Sequence, residues 1–336
     1  MKVSEIGEFG LIRELTELIE QIKNPDLRPW KKLLISSGDD TAAWKSDAPV
    51  ILATTDCLIQ DIHFNLKIST WEELGWKSIA INLSDIAAMG GIPDYALVSL
   101  ALPGEIELDS VKNLYRGMME AANQFEIAIV GGNVSSSNVV AINIMLTGTL
   151  RSQNALTRSA ALVGDKIAVT GFTGLSAAGL KMLKCDLHFD SEVTNIFRQA
   201  HLKPVPRVGE GQTLLRCGVK AGIDISDGLI ADLSHICESS NIGAKIILSS
   251  LPIHPFLKAG FKDDYLQMSL TGGEDYELLF TAPDNIVQKV RKVLTCPMTV
   301  IGEIVDDPMH KVALIGNQGE PVSFQNQGWE HFKSVA

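Results

Sequence analysis

The spacing of apolar residues along the chain predicts alternating helices and strands. Residues 70–89 show the clearest helical pattern, because Thr70 and Glu73 have the spacing of a capping box and the apolar positions continue to Gly90. Further helices are predicted at residues 10–22, 110–125 and 174–183, the last capped by Thr173. Strands are predicted at residues 31–36, 50–53, 95–102, 126–130, 139–147, 165–171, 300–305 and 311–315, and a loop at residues 201–207.

Length and composition predict two packed domains. The chain has 336 residues, of which 46% are hydrophobic, enough for ordinary cores. The polar segment 151–157 is the candidate boundary, and it separates a domain of residues 1–150 from one of residues 151–336.

Charge and cysteine content limit the ligands, the metal sites and the cellular compartment that we expect for the protein. The formal net charge of −11 argues against nonspecific binding to nucleic acid or to anionic membranes, so a phosphate-bearing ligand would need metal ions. Five cysteines without a C-x-x-C pair indicate neither a disulfide framework nor a zinc site, and a reducing cytoplasm fits them best. We expect no signal peptide, because residues 1–23 are amphipathic and carry several acids, and no run resembles a membrane span.

Oxygen-bearing side chains cluster at four places that are far apart in sequence. The clusters are Asp39-Asp40, Thr54-Thr55-Asp56, Ser84-Asp85 and Asp224-Ser226-Asp227. Carboxylates and hydroxyls are the donors that magnesium selects, so we expect these clusters to converge on bound magnesium in the folded protein. Each cluster has a competing interpretation, because such residues also form solvated turns and cap helices.

Asp85 needs an explanation because its neighbours are apolar. A buried, unpaired carboxylate is costly, so it either meets a cation or lies on a polar stripe with Asn82 and Ser84. Asp224 and Asp227 are three residues apart, a separation that would place both carboxylates on one face of a helix.

Two glycine-containing segments and one histidine are further candidates. Gly131 and Gly132 follow the predicted strand 126–130, and their N–H groups could form an anion-binding nest, although a hairpin turn would look similar. Residues 272–278 combine two glycines with three acids. His63 is either a packed residue or a functional one. Walker A and protein-kinase motifs are absent from the sequence, so phosphoryl transfer here would depend on metal ions held by acids.

In combination, these motifs resemble those of the thiamine-monophosphate kinase family. That family belongs to a superfamily with aminoimidazole ribonucleotide synthetase, selenophosphate synthetase and a hydrogenase-maturation protein. The resemblance covers nearly the whole chain, from about Glu8 to Phe332. Its motifs are Gly38-Asp39-Asp40, Thr54-Thr55-Asp56, His63-Phe64, Asn82-Leu83-Ser84-Asp85, Thr157-Arg158, Asp224-Ile225-Ser226-Asp227-Gly228, Gly272-Gly273-Glu274-Asp275-Tyr276-Glu277 and Trp329-Glu330-His331-Phe332.

The resemblance implies an activity and an architecture. The activity is ATP-dependent phosphorylation of thiamine monophosphate to thiamine diphosphate by direct in-line transfer. The architecture is a two-domain α/β protein of the α+β type. Its N-terminal mixed sheet forms a barrel across a homodimer, binding ATP and magnesium, and its C-terminal α/β sandwich domain completes the active site.

The resemblance also implies roles for residues at the motif positions. The implied magnesium ligands are Asp40, Thr54, Thr55, Asp56, Asp85, Asn133, Asp224 and Asp227. The implied ATP contacts are Tyr115, Gly132, Asn133, Arg158 and Ser226, and those to thiamine monophosphate are His63, Glu274 and Trp329. An aromatic ring such as Trp329 can stack on the cationic thiazolium, and a carboxylate such as Glu274 can offset its charge.

The chain departs from the family pattern at two places. Asn133 stands where the family commonly has aspartate, so one magnesium ion should bind more weakly. Gln60 and Asp61 replace a common Glu-Gly pair near His63. Two other functions are the alternatives: a superfamily enzyme resembling aminoimidazole ribonucleotide synthetase, and a nucleotide-binding sensor that has lost transfer.

Overall fold

Helices and strands are mixed in both halves of the computed structural model, which describes residues 1–36, 41–316 and 318–322. The chain divides into two units. The first comprises Met1–Ile86 and Gly91–Gln153, and the second comprises Ala87–Gly90 and Asn154–Ala336. No helix within the described ranges is both long and apolar enough to cross a membrane.

The first unit begins with helices and then builds a sheet. In chain order its elements are α1 (Val3–Ile22), α2 (Arg28–Lys32), β1 (Leu33–Ile35), β2 (Ala43–Trp44), β3 (Val50–Ile59), α3 (Trp71–Ala88), β4 (Ile92–Leu102), α4 (Leu108–Gln124), β5 (Ala128–Ser136) and β6 (Ala141–Leu150). Strands β1 and β2 pair separately, and the other four form a mixed sheet in the order β3-β6-β4-β5.

That four-stranded sheet has one buried face and one open face. Ile142, Ile144 and Leu146 of β6 are at most 1% exposed on the buried face. Ile51, on the opposite face of edge strand β3, is 58% exposed. Strands β4 and β5 run parallel, and the other neighbours run antiparallel. Within the described part of the chain the sheet stays open, and the barrel shared by a dimer remains a prediction.

The start of α3 has the local geometry that its sequence predicts. The backbone N–H of Thr70 donates to Glu73 Oε2 at 2.8 Å, and the N–H of Glu73 donates to Thr70 Oγ1 at 3.2 Å. This reciprocal pair is a capping box, which satisfies donors that the first helical turn leaves unpaired. Gly90 follows the helix with φ of 73°, a left-handed conformation that glycine adopts without steric cost.

Two glycines set the close approach of α3 and α4. A Cβ added at Gly75 would collide with the carbonyl oxygen of Leu114, and one added at Gly117 would collide with the carbonyl oxygen of Glu72. The two helices therefore meet through their backbones, where any side chain would force them apart.

The second unit is built on a larger mixed sheet. Its elements are β7 (Lys166–Thr170), α5 (Leu175–Lys184), α6 (Ser191–Leu202), α7 (Val208–Cys217), β8 (Ala221–Asp224), α8 (Leu229–Ser240), β9 (Gly243–Ile247), α9 (Pro255–Gly260), α10 (Tyr265–Thr271), β10 (Leu278–Ala282), α11 (Asp284–Arg291), β11 (Met298–Val305), β12 (Val312–Ile315) and β13 (Pro321–Val322), with short 3-10 turns at Arg158–Ala160 and Leu248–Ser250. The strand order is β13-β12-β9-β11-β7-β10-β8. Ile167, Leu279 and Ile301 are fully buried in the core of this unit.

Several predicted elements differ from the observed ones for identifiable reasons. Strand β5 continues through Gly131 and Gly132 instead of stopping before them, because β4 pairs with it along its whole length. The loop predicted at residues 201–207 begins inside α6, a helix that Asp190 caps by accepting from the N–H of Val193 at 2.9 Å. The apolar residues Val193, Ile196, Phe197 and Ala200 have helical spacing, a signal that the sequence analysis missed, and burial of Phe197 stabilises the helix.

We predict that Gly117→Ala destabilises the protein. The added methyl group must displace the backbone of α3 at Glu72, and overpacking of this kind typically costs about 1–3 kcal/mol. Thermal and urea unfolding would measure the loss. Gly209→Ala in α7 is the matched control, because a Cβ there meets nothing within 4 Å, and alanine favours a helix. Equal stability of the two variants would contradict this account of the α3–α4 contact.

Candidate functional site

Thr54 and Asp56 lie on one face of edge strand β3, because alternate residues of a strand point to the same side. The Thr54 hydroxyl donates to Asp85 Oδ2 from α3. Asp85 is half-buried, whereas Asn82 and Ser84 are fully buried, so the polar stripe proposed for these three residues does not face solvent. Asp85 instead has a hydroxyl partner on the strand that carries Asp56.

The side chain of Thr55 lies on the opposite face of β3. Its hydroxyl donates to Asn143 Oδ1 at 3.4 Å. The strand register aligns Asn143 with Ser99 and Ser99 with Asn133, so Asn133 lies on the face of Thr55. Asn133 is exposed, and its amide nitrogen donates to Ser135 Oγ at 3.0 Å. The predicted ligands of the first unit are thus divided between the two faces of its sheet.

The structure also describes three residues of the first unit that are predicted to contact the substrates, His63, Tyr115 and Gly132. His63 accepts from the N–H of Ile59 through Nδ1 at 3.0 Å, which fixes its ring at the end of β3. Tyr115 lies in α4 and is 6% exposed, and this burial raises the pKa of its hydroxyl. A Cβ at Gly132 would collide with the carbonyl oxygen of Val98, so the close approach of β4 itself requires this glycine. The anion-binding nest predicted there is untested.

In the second unit, Asp224 is the last residue of β8, and Asp227 lies in the loop before α8. The expectation that a helix places these two carboxylates on one face is therefore wrong. The loop is organised by Asp232 in the first turn of α8. Asp232 Oδ2 accepts from the backbone N–H groups of Ser226, Asp227 and Gly228, each at 3.1 Å.

Asp232 stands in a negative environment. It is 2% exposed, and burial together with the charges of Asp224 and Asp227 raises its pKa to about 8. One ligand atom each of Asp227, Asp232 and His235 lie within 4.8 Å of one another. Sequence analysis missed Asp232 and His235, because an acid in the first turn of a helix is usually explained by the helix dipole.

The loop around Ser226 is bound to residues 272–277 by backbone hydrogen bonds. The N–H of Ile225 donates to the Glu277 carbonyl at 2.8 Å, and the N–H of Tyr276 donates to the Ile225 carbonyl at 2.9 Å. The N–H of Glu274 donates to the Ser226 carbonyl at 2.8 Å. Glu274 and Tyr276 have φ of 67° and 50°, strained values for residues with side chains. Two motifs separated by more than forty residues in sequence therefore form one continuous structure.

Glu274 reaches a buried histidine. Glu274 Oε2 lies 3.5 Å from Nδ1 of His201 in α6, and this ring nitrogen is also 3.1 Å from Ser176 Oγ. His201 is 4% exposed. The contact fixes the position of the carboxylate that the family resemblance assigns to the organic substrate.

Asp275 binds the start of α5. Its carboxylate accepts from the N–H of Gly174 at 2.5 Å and of Ser176 at 3.0 Å. Desolvation raises the pKa of Asp275 to about 7, although both N–H groups oppose this shift. The prediction that Thr173 caps this helix is wrong, because the N-cap residue is Gly174 and the Thr173 hydroxyl contacts Ser269.

Glu277 forms a buried ion pair with Arg207. Arg207 Nε and Nη2 donate to the two carboxylate oxygens at 2.6 and 2.5 Å, and Thr170 Oγ1 donates to Oε2 at 2.7 Å. Burial disfavours the Arg207 cation, but the hydrogen bonds and charge of Glu277 raise its pKa further above its usual value. A Cβ at Gly171 would collide with this carboxylate, so the pair also requires that glycine.

The remaining predicted residues are placed as follows. Arg158 is exposed at the start of a 3-10 turn, where its carbonyl accepts from Ser240 Oγ at 2.8 Å. Ser226 is half-buried in the loop before α8. Asp40 and Trp329 lie outside the described residues.

The donor sets fit a hard divalent cation. Thr54, Asp56 and Asp85 offer only oxygen atoms, and so do Asp224 and Asp227, which is the chemistry that magnesium prefers. His235 adds one nitrogen near Asp227.

Comparison with known proteins identifies the family. Sequence models for the N-terminal and C-terminal domains of AIR synthase related proteins match residues 38–150 and 163–315. The thiamine-monophosphate kinase of Buchnera aphidicola subsp. Schizaphis graminum is 37% identical over 98% of this chain and 99% of its own. The chain belongs to the thiamine-monophosphate kinase family. The resemblance seen in the motifs is thereby confirmed.

Solved structures of the family agree with this fold. The thiamine-monophosphate kinase of Stenotrophomonas maltophilia is 32% identical, with a TM-score of 0.78 over 93% of this chain and 95% of that one. A structure of AaThiL complexed with AMPPCP and TMP is also 32% identical, with a TM-score of 0.76 over 99% of both chains. The predicted α/β fold class is therefore that of the family.

We predict that Arg207→Met strongly destabilises the second unit. The change leaves Glu277 buried without its cation, and removal of one partner from a buried pair typically costs about 3–5 kcal/mol. Urea unfolding would measure the loss. Lys166→Met is the control, because the Lys166–Glu303 pair is largely exposed and should contribute less than about 1 kcal/mol. Similar losses of unfolding free energy in both variants would contradict the prediction that the buried Arg207–Glu277 pair contributes more to stability than the exposed one.

Proposed function

We propose that this chain transfers the terminal phosphoryl group of ATP to thiamine monophosphate and so produces thiamine diphosphate. The observation that carries the proposal is full-length similarity to AaThiL, whose structure holds AMPPCP, an ATP analogue, together with TMP. Curated relatives at 33–37% identity are named thiamine-monophosphate kinase, which favours this substrate over that of aminoimidazole ribonucleotide synthetase. The reaction belongs to thiamine diphosphate biosynthesis.

The proposed metal ligands are the oxygen donors of both units. In the first unit they are Asp40, Thr54, Thr55, Asp56, Asp85 and Asn133, and in the second they are Asp224 and Asp227. Bound magnesium would supply charge neutralisation for the triphosphate, which phosphoryl transfer requires when few fixed cations are present. The hydrogen bond from Thr54 to Asp85 supports this assignment, because it holds two donors of the set against each other.

The proposed substrate contacts also come from both units. Tyr115, Gly132, Asn133, Arg158 and Ser226 would contact ATP, and His63, Glu274 and Trp329 would contact thiamine monophosphate. Glu274 is suited to a cationic ring, because its backbone N–H donates to the Ser226 carbonyl and its carboxylate is held beside His201. The transfer is direct, so none of these side chains becomes phosphorylated.

We also propose the organisation in which this reaction occurs. Residues 1–150 would bind ATP and magnesium and form the dimer, and residues 151–336 would complete the active site. The exposed face of the four-stranded sheet, with Ile51 at 58% exposure on an edge strand, supports a homodimer. The odd number of cysteines without close pairs supports a cytoplasmic location.

Turnover tests the proposal directly. Purified protein with ATP, magnesium and thiamine monophosphate should form thiamine diphosphate, which chromatography detects. Asp85→Ala should abolish the product, because it removes a charged oxygen donor, while the variant remains folded by circular dichroism. Asp109→Ala, at an exposed position in the first turn of α4, is the control and should retain activity. Binding of ATP and magnesium by the wild type without product would favour the sensor instead.

Asn133 provides a second test. We expect Asn133→Asp to remain active and to need less magnesium for half-maximal activity, because a carboxylate replaces a neutral amide oxygen. A titration of the rate against magnesium concentration would measure the shift. Asn138→Asp, which adds a carboxylate at an exposed position between β5 and β6, is the control and should leave the requirement unchanged. Loss of activity in Asn133→Asp would show that position 133 does not hold a metal ligand.

A further inference from the structure

The loop that carries Ser226 and Asp227 folds around a single carboxylate oxygen. Three consecutive backbone N–H groups, those of Ser226, Asp227 and Gly228, donate to Asp232 Oδ2 at 3.1 Å each. Consecutive amides can share one acceptor only when the backbone curves around it. The position of Asp232 therefore determines where the side chains on this loop point.

These hydrogen bonds serve the loop more than the helix. Helix α8 starts at Leu229, and Asp232 is its fourth residue. An ordinary cap satisfies the N–H groups of the first helical turn, but Asp232 accepts from three residues that precede the helix. Asp190, which accepts from Val193 at the start of α6, is an ordinary cap of this protein.

The rest of the loop is fixed from the other side. Gly228 has φ of 121°, and a Cβ there would meet the carbonyl group of Thr271 at 2.9 Å. The Ser226 carbonyl accepts from the N–H of Glu274 at 2.8 Å. The loop is thus held by hydrogen bonds to Asp232 and by its contacts with residues 271–274.

Burial and the neighbouring acids oppose a charge on Asp232. The carboxylate is 2% exposed and stands beside Asp224 and Asp227, and like charges in a buried place repel. A neutral asparagine could also accept hydrogen bonds, so binding the loop backbone does not by itself require an acid here. An acid has a further use beside the magnesium proposed for Asp224 and Asp227, because a carboxylate holds the amides and adds negative potential near the cation.

We propose that Asp232 is a positioning residue that orients Asp224, Ser226 and Asp227 toward the metal-bound nucleotide. This inference rests on the proposed function, because that function assigns those three residues to magnesium and ATP. Asp232 itself contacts the loop backbone and is not assigned to the reacting atoms.

The test compares Asp232→Asn with Asp190→Ala in the full-length chain. Calorimetry measures the binding of ATP with magnesium when thiamine monophosphate is absent, and turnover is measured separately. We expect Asp232→Asn to weaken this binding and to raise the magnesium needed for half-maximal turnover by about tenfold or more, as loss of a group supporting metal ligands typically does. Its Tm should equal or exceed that of the wild type. Asp190→Ala should lower Tm. It should leave unchanged both the binding of ATP with magnesium and the magnesium needed for half-maximal turnover.

Three results would overturn the inference. The first is unchanged nucleotide binding and magnesium requirement in folded Asp232→Asn. The second is a lower Tm in Asp232→Asn, matching that of Asp190→Ala, because Asp232 would then be a structural cap. The third is a failure of the wild type itself to bind ATP with magnesium. If the wild type binds ATP with magnesium but forms no thiamine diphosphate, the proposed function fails, while the binding comparison still decides the role of Asp232.

Discussion

The second unit depends on buried carboxylates that accept hydrogen bonds from backbone amides or from arginine. Asp232 binds three amides before α8, Asp275 binds two at the start of α5, and Glu277 pairs with Arg207. Each acid is costly to bury alone, but each is satisfied by donors that lie on a different element. Backbone hydrogen bonds of Ile225 and Ser226 with residues 274–277 then join the two segments that carry these acids.

This arrangement explains why the backbone of residues 274–276 can be strained. Glu274 and Tyr276 keep left-handed conformations because the surrounding hydrogen bonds leave them no alternative. The same bonds place the Glu274 carboxylate beside His201. Strain at these two residues is thus offset by the hydrogen bonds around them.

In the first unit, strand alternation separates the residues of one motif. Edge strand β3 presents Thr54 and Asp56 on one face and Thr55 on the other, so adjacent residues contact different parts of the unit. Asp85 joins the first face from α3 through its contact with Thr54. The open face exposes apolar residues such as Ile51.

The sequence by itself determined the family and the helix that begins with the capping box at Thr70, because these depend on motif identity and local spacing. It ended the strand at residue 53, whereas pairing with β6 continues β3 to Ile59 and so places Thr54 and Thr55 on opposite faces. It could not determine the role of Asp232, since an acid in the first turn of a helix has the same local pattern whether it serves the helix or a loop. The continuation of β5 through Gly131 and the capping of α5 by Asp275 were also decided by tertiary structure. In each case the partner lies on a separate strand or loop, and only folding brings its hydrogen-bonding groups within reach.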